Sequence, residues 1–201
     1  MRSTVRITTA NTSEPFSEAE IREFLRVDDE QSESNVIKAL IIAARQATEN
    51  YLNRCLMTTT YTMNLDEWPL IDNSINEESI ELLPSPVQSI TSVKYYNSTN
   101  VLTTLTENTD YFKDLNEAPA LIIPVDSWSY SVYDRPDAIE VIFVAGYATK
   151  EAIPHPIKHA MRMLIKHLYD NRDAVQIGQQ PTEMPFGYEY LLQNYRIFRF
   201  M

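Results

Sequence analysis

The spacing of hydrophobic and polar positions changes twice along the chain. Apolar residues recur at helical spacing from 17 to 54, alternate in short segments from 57 to 147, and return to helical spacing from 154 to 174. A 3.6-residue period indicates amphipathic helices, and a two-residue period indicates half-buried strands. The pattern therefore predicts an α+β fold, a helical bundle with an inserted antiparallel sheet or small barrel and an extended C-terminal tail.

Three helices are predicted. The first begins after Ser17, which fits a capping box with Glu20, and ends near Val27. The second covers 34–54, and Asn53, which tolerates a positive φ, is predicted to end it. Its apolar positions are Val36, Leu40, Ala43, Ala47 and Tyr51, widened by Ile37, Ile41 and Ala44. The third has Pro156 in its first turn, and its apolar face is Ile157, Ala160, Met161, Leu164 and Leu168.

Seven strands are predicted between the second and third helices. They lie in "TTTYTMNLDEW", "ESIELL", "VQSITSVKYY", "VLTTLT", "DYFKDL", "ALIIP" and "AIEVIFVAGY". The last is almost continuously apolar, which is typical of a strand buried on both faces. The resulting domain boundaries are a flexible N-terminus at 1–16, helical parts at 17–56 and 148–175, a β insertion at 57–147, and a tail at 176–201.

The C-terminal stretch "PFGYEYLLQNYRIFRF" is the most aromatic part of the chain and follows the polar segment "VQIGQQPTEMP", which is predicted to be flexible. Spacing favours a short amphipathic helix and then an extended strand over "RIFRF". Either the tail packs on its own chain, or aromatic and arginine anchors bind another subunit. The residues alone leave these two alternatives open. The predicted binding residues are Phe186, Tyr188, Tyr190, Leu191, Leu192, Tyr195, Arg196, Ile197, Phe198, Arg199 and Phe200.

Composition and charge remove several classes of function. The formal charge of −11 argues against tight DNA binding, which depends on cationic contacts to phosphate. Three glycines and no G-x-G-x-x-G, P-loop or G-x-S-x-G pattern argue against the common nucleotide-binding and serine-hydrolase designs. No apolar run is long enough to predict a membrane span, and "MRSTVRITTANTSEP" lacks the apolar centre of a signal peptide. Synthesis in the cytoplasm is expected.

Few residues suggest a catalytic, metal-binding or ligand-binding site. The single cysteine, Cys55, lies at the end of an apolar helical pattern and is interpreted as a buried structural thiol. His155 and His159 are four residues apart and could share one helical face, so a small metal-dependent hydrolase is an alternative that elemental analysis would test. The favoured interpretation has no catalytic residue, no metal and no cofactor. The tryptophans in "DEWPL" and "DSWSY" are interpreted as packing residues rather than a ligand platform.

The order of these motifs resembles the head-tail connector (adaptor, or head-completion) proteins of long-tailed bacteriophages and gene transfer agents. The matching stretches include "FLRVDDEQSE", "VIKALIIAARQATENYLNRCLMTTTYTMNLDEWP", "IELLPSPVQSITSVKYYN", "RPDAIEVIFVAGYA" and "IPHPIKHAMRMLIKHLYDNRDA". One departure is Asn53–Arg54, where relatives often have Gly-Arg. Asparagine can adopt the same turn.

The resemblance implies a structural protein of the virion neck and not an enzyme. It implies a homo-oligomeric ring, usually of twelve copies, beneath the portal protein. The ring would extend the DNA channel without sequence-specific contacts and carry the next neck protein, a stopper. By this analogy, 186–200 is the segment that docks on the portal or on a neighbouring subunit. A tail-completion protein with another ring geometry is a further alternative.

Overall fold

A computed structural model describes residues 2–27, 31–69, 78–171 and 186–198. For residues 31, 32 and 186 it describes only the backbone. The predicted connector 175–185 lies outside this part of the chain, as do Arg199 and Phe200. The described part forms two compact units. The β unit comprises Met1–Asn11 and Thr58–Ala148, and the helical unit comprises Thr12–Met57 and Thr149–Met201.

The β unit contains two antiparallel sheets. Its strands are β1 (Ser3–Thr9), β2 (Thr59–Leu65), β3 (Ile80–Leu82), β4 (Val87–Tyr96), β5 (Leu102–Thr104), β6 (Tyr111–Asp114), β7 (Ala120–Pro124) and β8 (Ile139–Ala145). One sheet has the order β1-β2-β8-β4-β5, and the other has the order β3-β7-β6. All seven predicted strands are present, and the α+β class is confirmed.

The larger sheet is built around β8, whose alternate residues face the core. Met63 on β2 and Val93 on β4 both lie opposite Val141, and all three are buried. The other face of β8 is only partly covered, because Glu140 and Ile142 are half-exposed. The expectation that β8 is buried on both faces is therefore wrong. A central strand of an antiparallel sheet can keep one face toward solvent even when its sequence is mostly apolar.

The predicted flexible N-terminus at 1–16 is also corrected. Residues Ser3–Thr9 form β1, which pairs with β2 from Ser3 opposite Leu65 to Thr9 opposite Thr60. The backbone amide of Arg2 donates to Oδ1 of Asp66 at 2.7 Å, at the start of the strand. A polar sequence does not prevent strand pairing, since the hydrogen-bond ladder uses only main-chain groups.

The helical unit contains α1 (Glu18–Leu25), α2 (Gln31–Leu52), α3 (His155–Asp170) and α4 (Phe186–Leu192). The capping box of Ser17 and Glu20 is present at the start of α1. Glu20 also pairs with Lys150, whose Nζ lies 3.1 Å from its carboxylate. The hydrogen bond from the Ser17 backbone amide is the main cause that lowers the pKa of Glu20 to about 2.

The buried face of α2 differs from the predicted one by a rotation of the helix. The residues that widened the predicted stripe, Ile37, Ile41 and Ala44, are buried, whereas Val36 and Ala47 are exposed. In α3, Ile157, Ala160, Met161 and Leu164 are buried as predicted. No helix in the described residues is long and apolar enough to cross a membrane.

Candidate functional site

The C-terminal segment, defined here as residues 186–198, belongs to the helical unit. It begins with α4, continues as a single 3-10 turn over Gln193–Tyr195, and ends in three residues without regular structure. The described part of "RIFRF" is thus not a strand. Phe186 lies at the start of α4, but its side chain is outside the description.

Tyr188 anchors α4 inside the helical unit. Its side chain is 1% exposed. The hydroxyl of Thr48 on α2 donates to the carbonyl oxygen of Ala44 at 2.7 Å, so the Tyr188 hydroxyl, 3.1 Å from Thr48 Oγ1, donates to Thr48. The Tyr188 ring also packs against Tyr51 with ring centroids 6.0 Å apart. Burial raises the pKa of Tyr188 above its usual value.

Apolar side chains continue this anchor along the segment. Leu192 is fully buried, Ile197 is 7% exposed, and Leu191 and Tyr195 are half-buried. At the start of α4, a Cβ added at Gly187 would lie 3.1 Å from the terminal methyl of Met163 on α3. A glycine at this position therefore allows α4 to pack closely against α3.

Main-chain groups of the segment bind the turn that ends α2. The amide of Ile197 donates to the carbonyl of Leu52 at 2.9 Å. The carbonyl of Ile197 accepts from Nδ2 of Asn53 at 2.8 Å, and the carbonyl of Tyr195 accepts from Nε of Arg54 at 2.5 Å. Asn53 has a φ of 53°, which confirms the predicted left-handed end of α2. Its side chain reaches the C-terminal segment from this turn.

A half-buried carboxylate supports the same turn. Glu49 accepts from the amide of Leu56 at 2.8 Å and from Nη1 of Arg45 at 2.8 Å. Arg45 also pairs with Glu14 at 2.7 Å. Burial is the largest cause of the raised pKa of Glu49, and the Leu56 amide and Arg45 oppose it. Asn53 and Arg54, which bind the C-terminal segment, lie between Glu49 and Leu56. The hydrogen bond between Glu49 and the amide of Leu56 therefore fixes the turn that contains them.

Three of the predicted binding side chains point to solvent. Tyr190 is 64% exposed, Phe198 is 62% exposed, and Arg196 is also exposed. The Arg196 guanidinium lies 5.2 Å from the ring centroid of Phe198 and 5.0 Å from that of Tyr51. Tyrosine, phenylalanine and arginine are residues typical of protein interfaces. We call Tyr190, Arg196 and Phe198 the exposed trio.

The structure therefore divides the predicted binding residues into two groups. The expectation of an extended tail that leaves its own chain is wrong for Tyr188, Leu192 and Ile197, which are core residues of the helical unit. The physical reason is that Thr48, Asn53 and Arg54 provide partners that the sequence did not reveal. The only sequence signal was the polar Thr48 within an apolar helical pattern. Binding of another subunit by the remaining residues stays a prediction.

The other candidates take ordinary structural positions. Cys55 is buried, and its thiol donates to the carbonyl of Met57 at 3.0 Å. Trp68 stacks on Trp128 with ring centroids 4.4 Å apart. His155 and His159 are exposed on α3. Among the described residues, no three His, Cys, Asp or Glu side chains come together in an arrangement that could hold a metal ion.

Comparison with solved structures found chains of similar fold. A chain from the neck of an empty gene transfer agent particle, computed with C6 symmetry, has a TM-score of 0.78 and 21% identity over 98% of this chain and 97% of that chain. A chain of the virion of a native gene transfer agent particle has a TM-score of 0.76 and 20% identity, with the same coverage of both chains.

A chain from the neck of a native particle, computed with C12 symmetry, has a TM-score of 0.72 and 20% identity over 98% of this chain and 97% of that chain. No protein-family model and no curated protein matches this sequence. The chain therefore shares its whole fold, both units included, with these particle components.

Proposed function

We propose that this protein is a structural adaptor in the neck of a phage or phage-like particle. Copies of the chain form a ring, of twelve in the complete neck, beneath the portal protein. The ring extends the DNA channel and carries the next neck protein. The observation that carries this proposal is the fold similarity to gene transfer agent neck chains, which spans 98% of this chain at a TM-score of 0.78.

The charge of the chain suits a channel wall. Each copy has a formal charge of −11, so a ring of copies is strongly acidic. A negative surface repels the DNA phosphates and favours passage over binding. The proposed role needs no catalytic residue.

The exposed trio provides the portal contact in this proposal. Tyr190 and Phe198 offer aromatic surface without any change in the helical unit, and Arg196 is placed beside Phe198. Arg199 and Phe200 continue the same stretch of sequence, and Phe186 precedes it. The buried residues Tyr188, Leu192 and Ile197 fix the segment, while Leu191 and Tyr195 lie at the edge of that core.

A double substitution tests this assignment. Deletion of 185–201 would also remove buried core residues, so it cannot separate docking from folding. Tyr190→Ala with Phe198→Ala removes only exposed side chains. We expect the variant to fold with wild-type circular dichroism and to lose co-purification with the portal by about tenfold or more, the effect of 1.4 kcal/mol.

The matched control is Phe112→Ala, because Phe112 is an exposed aromatic residue of the β unit, 47% accessible. It should co-purify with the portal like the wild type. Cryo-microscopy of the particle neck tests the wider proposal. A neck without this chain would refute the adaptor function, whereas wild-type docking of the double variant would refute only the role of the exposed trio.

A further inference from the structure

Arg196 is held in place by its two neighbours in the chain. The carbonyl of Tyr195 and both main-chain groups of Ile197 are hydrogen-bonded to residues at the end of α2. The backbone on both sides of Arg196 is therefore fixed, while its side chain is exposed. A fixed backbone has little conformational freedom to lose when the side chain binds a partner.

Two aromatic rings lie close to the Arg196 guanidinium. Its central carbon is 5.0 Å from the ring centroid of Tyr51 and 5.2 Å from that of Phe198. Tyr51 is itself held by the buried ring of Tyr188. The π electrons of such rings attract a guanidinium, whose N–H groups lie in its own plane and stay available to a partner.

This guanidinium has no acceptor among the residues that the structure describes. Arg22 and Arg45 of the same unit bind carboxylates at 2.8 and 2.7 Å. Arg196 makes no side-chain hydrogen bond and no ion pair with any described residue. Its five N–H donors are therefore left to solvent or to another molecule.

Arg135 of the β unit shows what a guanidinium beside an aromatic ring can bind. Its central carbon lies 3.8 Å from the ring centroid of Tyr96. Its Nε and Nη2 donate to the two carboxylate oxygens of Asp137, at 2.6 and 2.9 Å. This is the two-point geometry in which a guanidinium fits a carboxylate. Arg196 has the aromatic part of this arrangement without the carboxylate.

The surroundings of Arg196 favour a single carboxylate over a polyanion such as DNA. Residues 186–198 contain one acidic residue, Glu189, and one basic residue, Arg196, so their formal charges cancel. Tight binding of DNA requires several cations. One cation beside exposed aromatic side chains suits a protein surface on which a carboxylate lies among apolar groups.

We propose that Arg196 binds a carboxylate of the portal protein, an Asp or Glu side chain that lies among apolar residues on the surface to which the exposed trio docks. This inference rests on the proposed function and names the chemistry of its partner. Tyr190 and Phe198 supply apolar contact area. Arg196 makes the contact specific, because a surface without the carboxylate would leave the guanidinium without an acceptor.

Docking at two salt concentrations tests this charge pair. Both proteins are purified free of nucleic acid, and co-purification with the portal is measured at about 0.05 M and about 0.5 M NaCl. Arg196→Gln should weaken docking by about tenfold or more at the lower concentration. At the higher one the loss should be about threefold or less, because salt already screens the pair in the wild type.

The matched control is Arg6→Gln, which makes the same change at an exposed arginine of β1. It should dock like the wild type at both salt concentrations. Both variants should keep the wild-type circular dichroism, since they alter only exposed side chains.

The outcomes distinguish the failure of each proposal. Wild-type docking of Arg196→Gln at the lower salt concentration would refute the carboxylate contact. An equal loss at both concentrations would also refute it, because Arg196 would then act without its charge. Docking that requires added DNA would assign the contact to phosphate and refute it as well. The adaptor function survives each of these results, and only absence of the chain from particle necks would refute it.

A zero-length cross-link tests the identity of the partner group. Arg196→Lys places an amine at this position, and a carbodiimide joins an amine to a carboxylate in contact with it. At protein concentrations that give full docking, mass spectrometry should find the peptide containing position 196 joined to an acidic residue of the portal. Arg6→Lys should give no portal adduct from position 6. An adduct with another copy of this chain, or no adduct from position 196 in docked complexes, would overturn the proposal.

Discussion

The strand β1 and the C-terminal segment are each fixed to their own unit, but by different groups. The C-terminal segment is held by buried side chains such as Tyr188 and Leu192 and by hydrogen bonds to the end of α2. β1 is held by the main-chain ladder to β2, and nearly all of its side chains remain exposed.

The difference shows that hydrophobicity alone does not indicate how a chain end is used. Most apolar side chains of the C-terminal segment pack in the helical unit, and the apolar ones that face solvent belong to the exposed trio. The polar end is ordered as well, yet among the described residues β1 is an edge strand with one paired side, and its apolar Val5 and Ile7 are exposed. Hydrogen bonds between strands join main-chain groups and require no particular side chains. A segment with a weak hydrophobic pattern can therefore be held as firmly as one with a strong pattern.

Truncation of Leu192 should produce the largest loss of stability among the tests of this comparison. Leu192 is fully buried in the helical unit. Leu192→Ala removes buried methyl groups and leaves a cavity, so we expect the free energy of unfolding to fall by about 2–5 kcal/mol. Urea denaturation followed by circular dichroism measures the loss. A change below about 1 kcal/mol would mean that the segment is not part of the cooperative core.

Substitutions at Asn53 should have an intermediate effect and separate its two roles. Asn53→Ala loses the hydrogen bond to Ile197 and replaces asparagine, which tolerates the left-handed region, by alanine, which does not, for a cost of about 1–3 kcal/mol. Asn53→Gly loses the same hydrogen bond but tolerates the backbone, so its cost should be smaller. Equal losses in urea denaturation of the two variants would show that the backbone conformation at this turn contributes nothing.

Alkaline pH should weaken the C-terminal anchor and leave β1 unaffected. Burial raises the pKa of Tyr188 above 10.0, so the unfolded state releases its proton at a lower pH than the folded state. The contribution of Tyr188 is therefore complete below pH 10 and decreases as the pH rises above it. Wild type and Tyr188→Phe should show different slopes of the urea midpoint between about pH 9 and 11. Parallel slopes would contradict this assignment.

Changes on the exposed face of β1 should have the smallest effect. Ile7→Thr keeps a β-branched residue in the strand and alters a side chain that is 59% exposed. The free energy of unfolding should change by no more than about 0.5 kcal/mol in urea denaturation. A loss comparable with that of Leu192→Ala would show that β1 is held by its side chains after all and would remove the contrast between the two ends.

Most of the fold followed from sequence patterns. The alternation in β2 and β4, the capping box at Ser17 and the left-handed Asn53 each have a local physical cause and were predicted. The buried face of α2 was not predicted correctly, because Val36 and Ala47 extend an apolar surface around the helix beyond what its own unit covers. Periodicity shows that a helix has an apolar face. When that face is wide, periodicity does not show which part of it packs against other elements.

The candidate site was harder to predict from the sequence than the fold. Phe198 and Leu192 look alike in an aromatic stretch, and only the positions of α2 and α3 decide that one is exposed and the other buried. The anchoring donors Asn53 and Arg54 lie more than 140 residues before their acceptors. Contacts at such separation leave no local pattern, and β1 was missed for the same reason, since its partner β2 is some 50 residues away.

The donors that hold the C-terminal segment have a consequence for sequence divergence. Asn53 and Arg54 bind the carbonyl oxygens of Ile197 and Tyr195, and every residue type has a carbonyl oxygen. These two hydrogen bonds therefore depend on the residue types at 53 and 54 and not on those at 195 and 197. The exposed residue at 196 lies between the two acceptors, so its side chain can change, and adapt the segment to a new binding partner, without loss of the attachment to α2.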